Sequence, residues 1–460
     1  MLEPFLQGPG LPFAEVLSEA EVRAAFEAEG VGGEQSSRTI FTPAVTLWAW
    51  LSQVVHGGEL SSCAAAVTRV AVLLLALGRK PCSTDTAAYC RARAKLPEAV
   101  LRRLVLRVGR GLEWQAPVDW LWRGRHVKIA DGTTLMMSDT PANQQRYPQQ
   151  RSQSAGLGFP RMRLAVLLSL ATAAVCGVGM AACLGKQTGE TTLLREMLDL
   201  LDPGDVLVAD RMFGTYFLLA LLLQRDVDAV VRQHACRKTD FRRGRVIARH
   251  EHVVTWERPQ RPEWMDSATY AAIPATLTVR EIGVDVEVPG FRVTRIVLAT
   301  TLVDEQRYPK EELAELYRQR WHVELDLRSI KCSLEMDYLR TKSPAMVQRD
   351  VWVHLLAYNL IRKAAAQAAL TEEKFPRQIG FAGTRQTIAA SWSELSNATP
   401  QTVRTRGVQQ FALIAQHAVG DRPNRVEPRA VKRRPKPYRL LQQPRRQARE
   451  ALLGTRRPRR

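Results

Sequence analysis

The chain has 460 residues, enough for two to four domains with a sizeable core, and its 45% hydrophobic content is ordinary for a soluble globular protein. Its charge is not ordinary: 66 Lys and Arg against 46 Asp and Glu give a net +20, which calls for a polyanionic partner such as nucleic acid or an anionic membrane surface. Seven cysteines without a C-x-x-C pair and eight histidines without an H-x-x-x-H argue against structural zinc, and MLEPFLQGPGLPFAEV lacks the basic and apolar regions of a secretory leader.

Residues 1–115 read as a helical region. SEAE at 18–21 has the form of a capping box, and Thr42-Pro43 that of an N-cap followed by proline at the first helical position. Amphipathic runs follow in WAWLSQVV, AAAVTRVAVLLLAL and AVLRRLVLRV. Between them STDTAAYCRARAKLP is a short basic helix with Arg91 and Lys95 one turn apart, either a helix that enters a DNA groove or a plain solvated face.

Strands begin near residue 120, and 116–233 is expected to be the first part of an α/β core. HVKIAD places Val127, Ile129 and Asp131 on one face. The uncharged run Leu164–Gly185 is long enough for a membrane span. It is diluted by Ala, Gly, Ser and Thr, has no second span beside it, and fits two buried strands joined at a tight turn in TAAVCGVG. A helix near 189–201, the strand DVLVAD ending in Asp210, a helix near 214–224 and the strand DAVVRQ complete a mixed sheet with helices on its faces. Residues 234–306 change rhythm to short strand-like pieces separated by Pro and Gly, a β-rich insertion. The core is expected to resume at 307–415. Residues 416–460 close the chain as a basic tail without a fold of its own; of these, 421–460 hold 15 Lys or Arg and 3 acids, net +12.

The resumed core opens with YRQRWHVELDLRSIK, residues 317–331. At about 100° per residue, Tyr317, Arg320, Glu324 and Lys331 share an arc of roughly 60°. Leu316, Val323, Leu327, Ile330 and Leu334 form the neighbouring apolar stripe that would anchor this helix on a core. Arg320 and Glu324 make an i,i+4 pair, but Tyr317 and Lys331 add nothing to that pair and still share its face, so the set requires an outside partner.

Asp131 and Asp210 each close an apolar strand pattern. Alone, each reads more simply as a turn-forming aspartate. On adjacent strands, with Glu324 packed beside them, they become three converging carboxylates. Acids without Cys or His partners favour hard cations, and Mg²⁺ binds a few carboxylates while keeping positions for water and phosphate oxygens. Two such ions can activate the attacking oxygen and stabilise the leaving oxygen of an in-line displacement. On a chain of this charge the phosphate is that of DNA. Arg320 and Lys331 are then expected to hold the strand and Tyr317 to orient it.

The spacing Y-x2-R-x3-E-x6-K at Tyr317, Arg320, Glu324 and Lys331 resembles the signature of the insertion-sequence-4 family of DDE transposases. ADGTT at 130–134 and VADRMFGTY at 208–216 resemble the family's first and second Asp motifs. The resemblance covers about 120–365. It implies an RNase H-like core interrupted by a β-rich insertion, with Asp131, Asp210 and Glu324 as catalytic residues and ligands of two Mg²⁺ ions that Mn²⁺ can replace. It further implies DNA contacts by Tyr317, Arg320, Lys331, Trp321 and Arg328; Arg91 and Lys95, outside the resemblance, are DNA-binding candidates from their own basic helix. It implies cutting at inverted-repeat ends, second-strand cleavage through a hairpin, 3′-OH joining to target DNA, a homodimer pairing two ends, and a bacterial cytoplasmic location on the nucleoid, away from membranes. Trp321, Trp256 and Trp264 are the candidates to hold a flipped base at such a hairpin. A metal-dependent nuclease or resolvase on the same core and a non-catalytic DNA-binding regulator are the alternatives.

Overall fold

The computed structural model describes residues 19–30, 39–285, 295–395, 400–420 and 440–454. Ser18 of the expected capping box, and residues 421–439 and 455–460 of the basic tail, lie outside these.

The N-terminal region contains α1 (Glu19–Ala28), α2 (Pro43–His56), α3 (Cys63–Ala76), α4 (Ala87–Lys95) and α5 (Glu98–Trp114). Thr42 caps α2 as its sequence suggests, its side chain accepting from the Val45 amide at 3.3 Å. In α5 the residues Leu101, Leu104, Val105, Val108 and Leu112 recur at i, i+3, i+4, i+7 and i+11 and are buried as one face.

That face docks directly on the sheet. A Cβ on Gly109 of α5 would lie 2.0 Å from the carbonyl oxygen of Val175, so only glycine allows the approach. The buried Asn359 completes the contact, its side-chain amide donating to the carbonyls of Val105 and Val175 and accepting from the Val175 amide. Beyond it, Glu113 at the end of α5 accepts from Lys128 at 2.5 Å and pairs with His126 at 3.0 Å, fixing the start of the first strand.

The sheet contains β1 (Val127–Met137), β2 (Arg161–Ser169), β3 (Val175–Ala182), β4 (Val206–Ala209), β5 (Asp228–Arg232), β6 (Arg245–Ala248), β7 (Glu251–Glu257), β8 (Thr276–Asp285), β9 (Arg295–Thr300) and β10 (Tyr338–Leu339). Its order is β3-β2-β1-β4-β5-β9-β8-β7-β6, with β10 added to β1. The first five strands, with β1 to β3 antiparallel and β4 and β5 parallel to β1, form an RNase H-like mixed sheet. The apolar run 164–185 is the β2–β3 hairpin, and among the described residues no helix is long and apolar enough to cross a membrane.

Strands β6 to β9 occupy the segment read as an insertion. They are mutually antiparallel and continue the same sheet, because β9 returns to pair with β5 through Val230 and Thr300. Where a tail without its own fold is expected, Arg445–Gly454 is helical.

Strand alternation divides the core in two. Val127, Ile129, Leu135, Val206 and Val208 face one side, covered by the N-terminal helices and by the long helix Pro344–Thr371, which is buried on nearly all faces. Ala130, Leu207 and Ala209 face the other, covered by the helices Glu190–Arg195 and Tyr216–Leu223.

Candidate active site

The site is a notch in the sheet. Strand β4 pairs with β1 only from Val127–Val206 to Ala130–Ala209, whereas β10 joins the same edge at Met136 and Met137. Between them, residues 131–135 of β1 have no strand neighbour on that edge among the described residues. Asp131 therefore does not end its strand, as its sequence suggested. It sits mid-strand, at the point where the neighbouring strand stops.

The register that pairs Ala130 with Ala209 sets Asp131 beside Asp210 at the mouth of this notch. Asp210 opens a tight loop in which its carboxylate accepts from the Met212 amide at 2.8 Å. Phe213, 1% exposed, pins that loop, and a Cβ on Gly214 would lie 2.6 Å from the Arg232 carbonyl. This accounts for the Phe and Gly of DRMFGT.

The signature segment lies across the notch. Its apolar stripe is buried as expected: Leu316, Val323, Leu327, Ile330 and Leu334 are all in the core. It is not one continuous α-helix. Helix Lys310–Arg318 passes through a 3₁₀ turn at Gln319–Trp321 into helix His322–Arg328, and then into a π turn at Ser329–Ser333. The tighter 3₁₀ turn and the wider π turn depart from uniform helical geometry in opposite directions, and Lys331 still meets the notch. It points at the far end of the notch, donating to Thr133 at 3.3 Å and pairing with Asp337 at 3.0 Å.

Arg320 joins the two halves of the site. Its guanidinium donates to Glu324 at 3.0 Å and reaches Asp131 at 3.5 Å. Tyr317 is half-buried beside it; burial raises its hydroxyl pKa, opposed by Arg320 and Arg232, with Asp210 adding to the rise. The Asp131 carboxyl is pushed up to about 6, chiefly by burial, against its bond from the Gly132 amide and the pull of Arg320, with Asp210 and Glu190 adding to the rise.

This donor set suits a hard divalent cation. Its side chains offer carboxylate oxygens, and burial penalises the charge of Asp131, a penalty that a bound cation would remove. Among the described residues no three His, Cys, Asp or Glu side chains stand together as a ready-made metal shell. Arg320, lying between Asp131 and Glu324, supplies the positive charge instead.

The remaining sequence candidates fall in different places. Trp321 is 51% exposed beside the site, and Arg328 is exposed on the same segment. Trp256 is buried with its indole N–H bonded to Glu281 at 2.8 Å, and Trp264 packs under Arg195 with its ring 3.7 Å from that guanidinium. Both have ordinary packing roles. Arg91 and Lys95 are exposed in the N-terminal layer, lining a cavity of about 660 Å³ together with Phe41 and Leu96. Arg93 between them is buried against Trp50.

Three residues escaped the sequence reading. Arg232, at the end of β5, opposes the burial-driven rise of the Tyr317 pKa. Asp326, 1% exposed on the far side of the segment from Glu324, is held by Arg362 at 2.6 Å and Arg377 at 3.0 Å. Glu190 lies against Gly132. Only for Asp326 was there a signal: a carboxylate bordering the apolar stripe, on the side of the segment away from Glu324.

The family profile described as "Transposase DDE domain" matches residues 122–360. The chain belongs to the DDE transposases, in the insertion-sequence-4 group, and is a DNA-acting polynucleotidyl transferase and endonuclease of an insertion sequence. The family works with divalent metal ions. The chain is 26% identical over 377 residues to the transposase InsG for insertion sequence element IS4 of Escherichia coli (strain K12), covering 76% of this chain and 77% of that one. It is 38% identical over 65 residues to the transposase for insertion sequence element IS421 of Escherichia coli, 14% of this chain and 18% of that one. Among solved structures, a piggyBac transposase synaptic complex with hairpin DNA aligns with a TM-score of 0.45 at 9% identity, covering 86% of this chain and 84% of that one.

Proposed function

We propose that this transposase cuts DNA at the inverted-repeat ends of its element and joins the freed 3′-OH to target DNA, with Asp131, Asp210 and Glu324 as its catalytic carboxylates. The observation that carries this reading is the register of β1 and β4, which sets Asp131 beside Asp210 where β4 ends, together with the Arg320 guanidinium that links Asp131 to Glu324.

These carboxylates are suited to hold Mg²⁺, two ions by the usual chemistry of phosphoryl transfer, with Mn²⁺ able to replace it. Bound there, the ions would activate the attacking hydroxyl and stabilise the leaving oxygen. The chain's own cations do the rest. Arg320, released from Asp131, presents a planar fork to a phosphate of the cleaved strand. Lys331, at the other end of the notch, holds the strand one step along. Tyr317, half-buried beside Arg320, limits the approach of the backbone to one direction. The exposed Trp321 offers a stacking face for a base displaced during hairpin formation, an interaction worth about 1 to 3 kcal/mol. Arg328, Arg91 and Lys95 are sequence-independent phosphate contacts. The working form is a homodimer that pairs two ends, acting in the bacterial cytoplasm on the nucleoid.

The test is a cleavage time course on end-labelled DNA, resolved on denaturing gels, with Mg²⁺ or with EDTA. Nicks, hairpins and joined products at defined ends are expected only with the metal. Asp131→Asn, Asp210→Asn and Glu324→Gln should each cut at least about a thousandfold more slowly, roughly 4 kcal/mol in barrier, while still retarding end DNA. Trp321→Ala should nick normally and form hairpins slowly. Unspecific cutting without joining would indicate a nuclease, indifference to metal a DNA-binding regulator, and double-strand breaks with no hairpin at any time would remove the role of Trp321.

A further inference from the structure

The notch has a second approach, from the opposite face of the sheet. Asp131 and Thr133 point to the side where Arg320 and Lys331 meet them, so alternation turns Gly132 to the other side. There it meets helix Glu190–Arg195, whose first residue lies directly on it: a Cβ at position 132 would fall 2.3 Å from Cδ of Glu190. A glycine between two notch residues thus opens a cradle occupied by a carboxylate. The rest of that helix is ordinary core, with Leu193 and Leu194 buried under the sheet.

Glu190 is not consumed by a local partner. Its nearest cation, Arg163, is 3.8 Å away, beyond hydrogen-bond distance, and Arg163 is itself bonded to the Thr188 carbonyl at 2.7 Å.

We propose that Glu190 is a fourth carboxylate of the catalytic site, reaching the divalent ion held by Asp131 and Asp210 from the opposite face of the sheet, directly or through its bound water. This rests on the assignment of Asp131 and Asp210 made above. β4 stops at Ala209 and so leaves an opening between the faces; Gly132 removes the one Cβ that would close it. The β1 strand then carries ligands on one side and admits a supporting carboxylate on the other. Such supporting groups set metal affinity by about 10 to 100-fold.

The experiment is a Mn²⁺ titration of the full-length chain, without DNA, followed by the electron paramagnetic resonance signal of free Mn²⁺. Glu190→Gln is expected to weaken Mn²⁺ binding by about tenfold, the lower end of that range, and Glu190→Asp by less. Arg163→Met should leave binding equal or tighter, since it removes a cation; if Glu190 served only to pair with Arg163, that variant would match Glu190→Gln. In a second readout, Fe²⁺ with ascorbate and peroxide should cleave the backbone near 190 as well as near 131 and 210. Circular dichroism melting of each variant identifies loss of fold, and Glu190→Asp then decides. Binding within about twofold of wild type in both Glu190 variants, with Asp131→Asn defective, overturns this proposal alone. Wild-type binding in Asp131→Asn and Asp210→Asn overturns the site assignment beneath it.

Discussion

Arg320 and Asp131, 189 residues apart in sequence, face each other at 3.5 Å across the notch, and the same guanidinium holds Glu324 at 3.0 Å. One cation thus neutralises two carboxylates that a metal ion would otherwise share. Arg320→Gln is expected to have opposite effects on two measurements. Mn²⁺ binding to the DNA-free chain should tighten, because a competing positive charge is gone, whereas end cleavage should fall by about a hundredfold or more as the phosphate clamp disappears. Arg320→Lys should recover little of that rate, since an ammonium cannot span two oxygens as the planar fork does. Weaker Mn²⁺ binding in Arg320→Gln would show that the guanidinium orders the carboxylates and does not compete for them.

The raised pKa of Asp131 gives a pH dependence with a definite sign. Between its ordinary value of 3.8 and about 6, the folded metal-free chain holds a proton here that the unfolded chain has released. This contribution therefore stabilises the fold at low pH and is lost as pH rises through about 6. Metal binding needs the ionised carboxylate, so Mn²⁺ affinity should be level above about pH 6 and fall about tenfold per unit below it. Titrations between about pH 5 and 8 check this, with Asp131→Asn as the reference that lacks the step.

Asp326 is the buried anchor of the signature segment. It receives Arg362 at 2.6 Å and Arg377 at 3.0 Å, and Arg377 also donates to the carbonyls of Ser169 and Leu170 at the end of β2. Burial together with Arg377 and Arg362 pushes the nearby His322 down to about 4, against the opposing influence of Asp326, so it is neutral here. Asp326→Ala leaves two cations without their acceptor, and removing one partner of a buried pair costs about 3 to 5 kcal/mol. Chemical denaturation should show a destabilisation of this size. End cleavage by the fraction still folded should also decline, because Glu324 is carried on the same turn.

Deleting residues 421–460 removes a net charge of +12. Binding to specific and unrelated DNA should weaken alike, and the slope of log K against log salt should flatten by about 0.9 for each phosphate that the tail no longer neutralises. Equilibrium binding across a salt series gives that slope directly. An unchanged slope would mean that the tail engages something other than phosphate.

What the sequence determined by itself was the family and the local supports of its candidate site. The order of strands and helices, the buried stripe from Leu316 to Leu334, the Thr42 cap and the spacing of Tyr317, Arg320, Glu324 and Lys331 are all short-range patterns, legible because burial repeats with the period of the element. The tertiary structure decided what depends on partners far along the chain. That Asp131 lies mid-strand follows from β2, which stays paired with β1 as far as Met136, while β4 stops at Ala209 and opens the other edge. That Lys331 meets Thr133, 198 residues away in sequence, follows from the packing of the signature segment across β1. That Glu190 approaches the notch from behind follows from a single missing Cβ at Gly132. Local propensity cannot encode such contacts, because each is fixed by the register between strands and by the face of the sheet on which a helix packs.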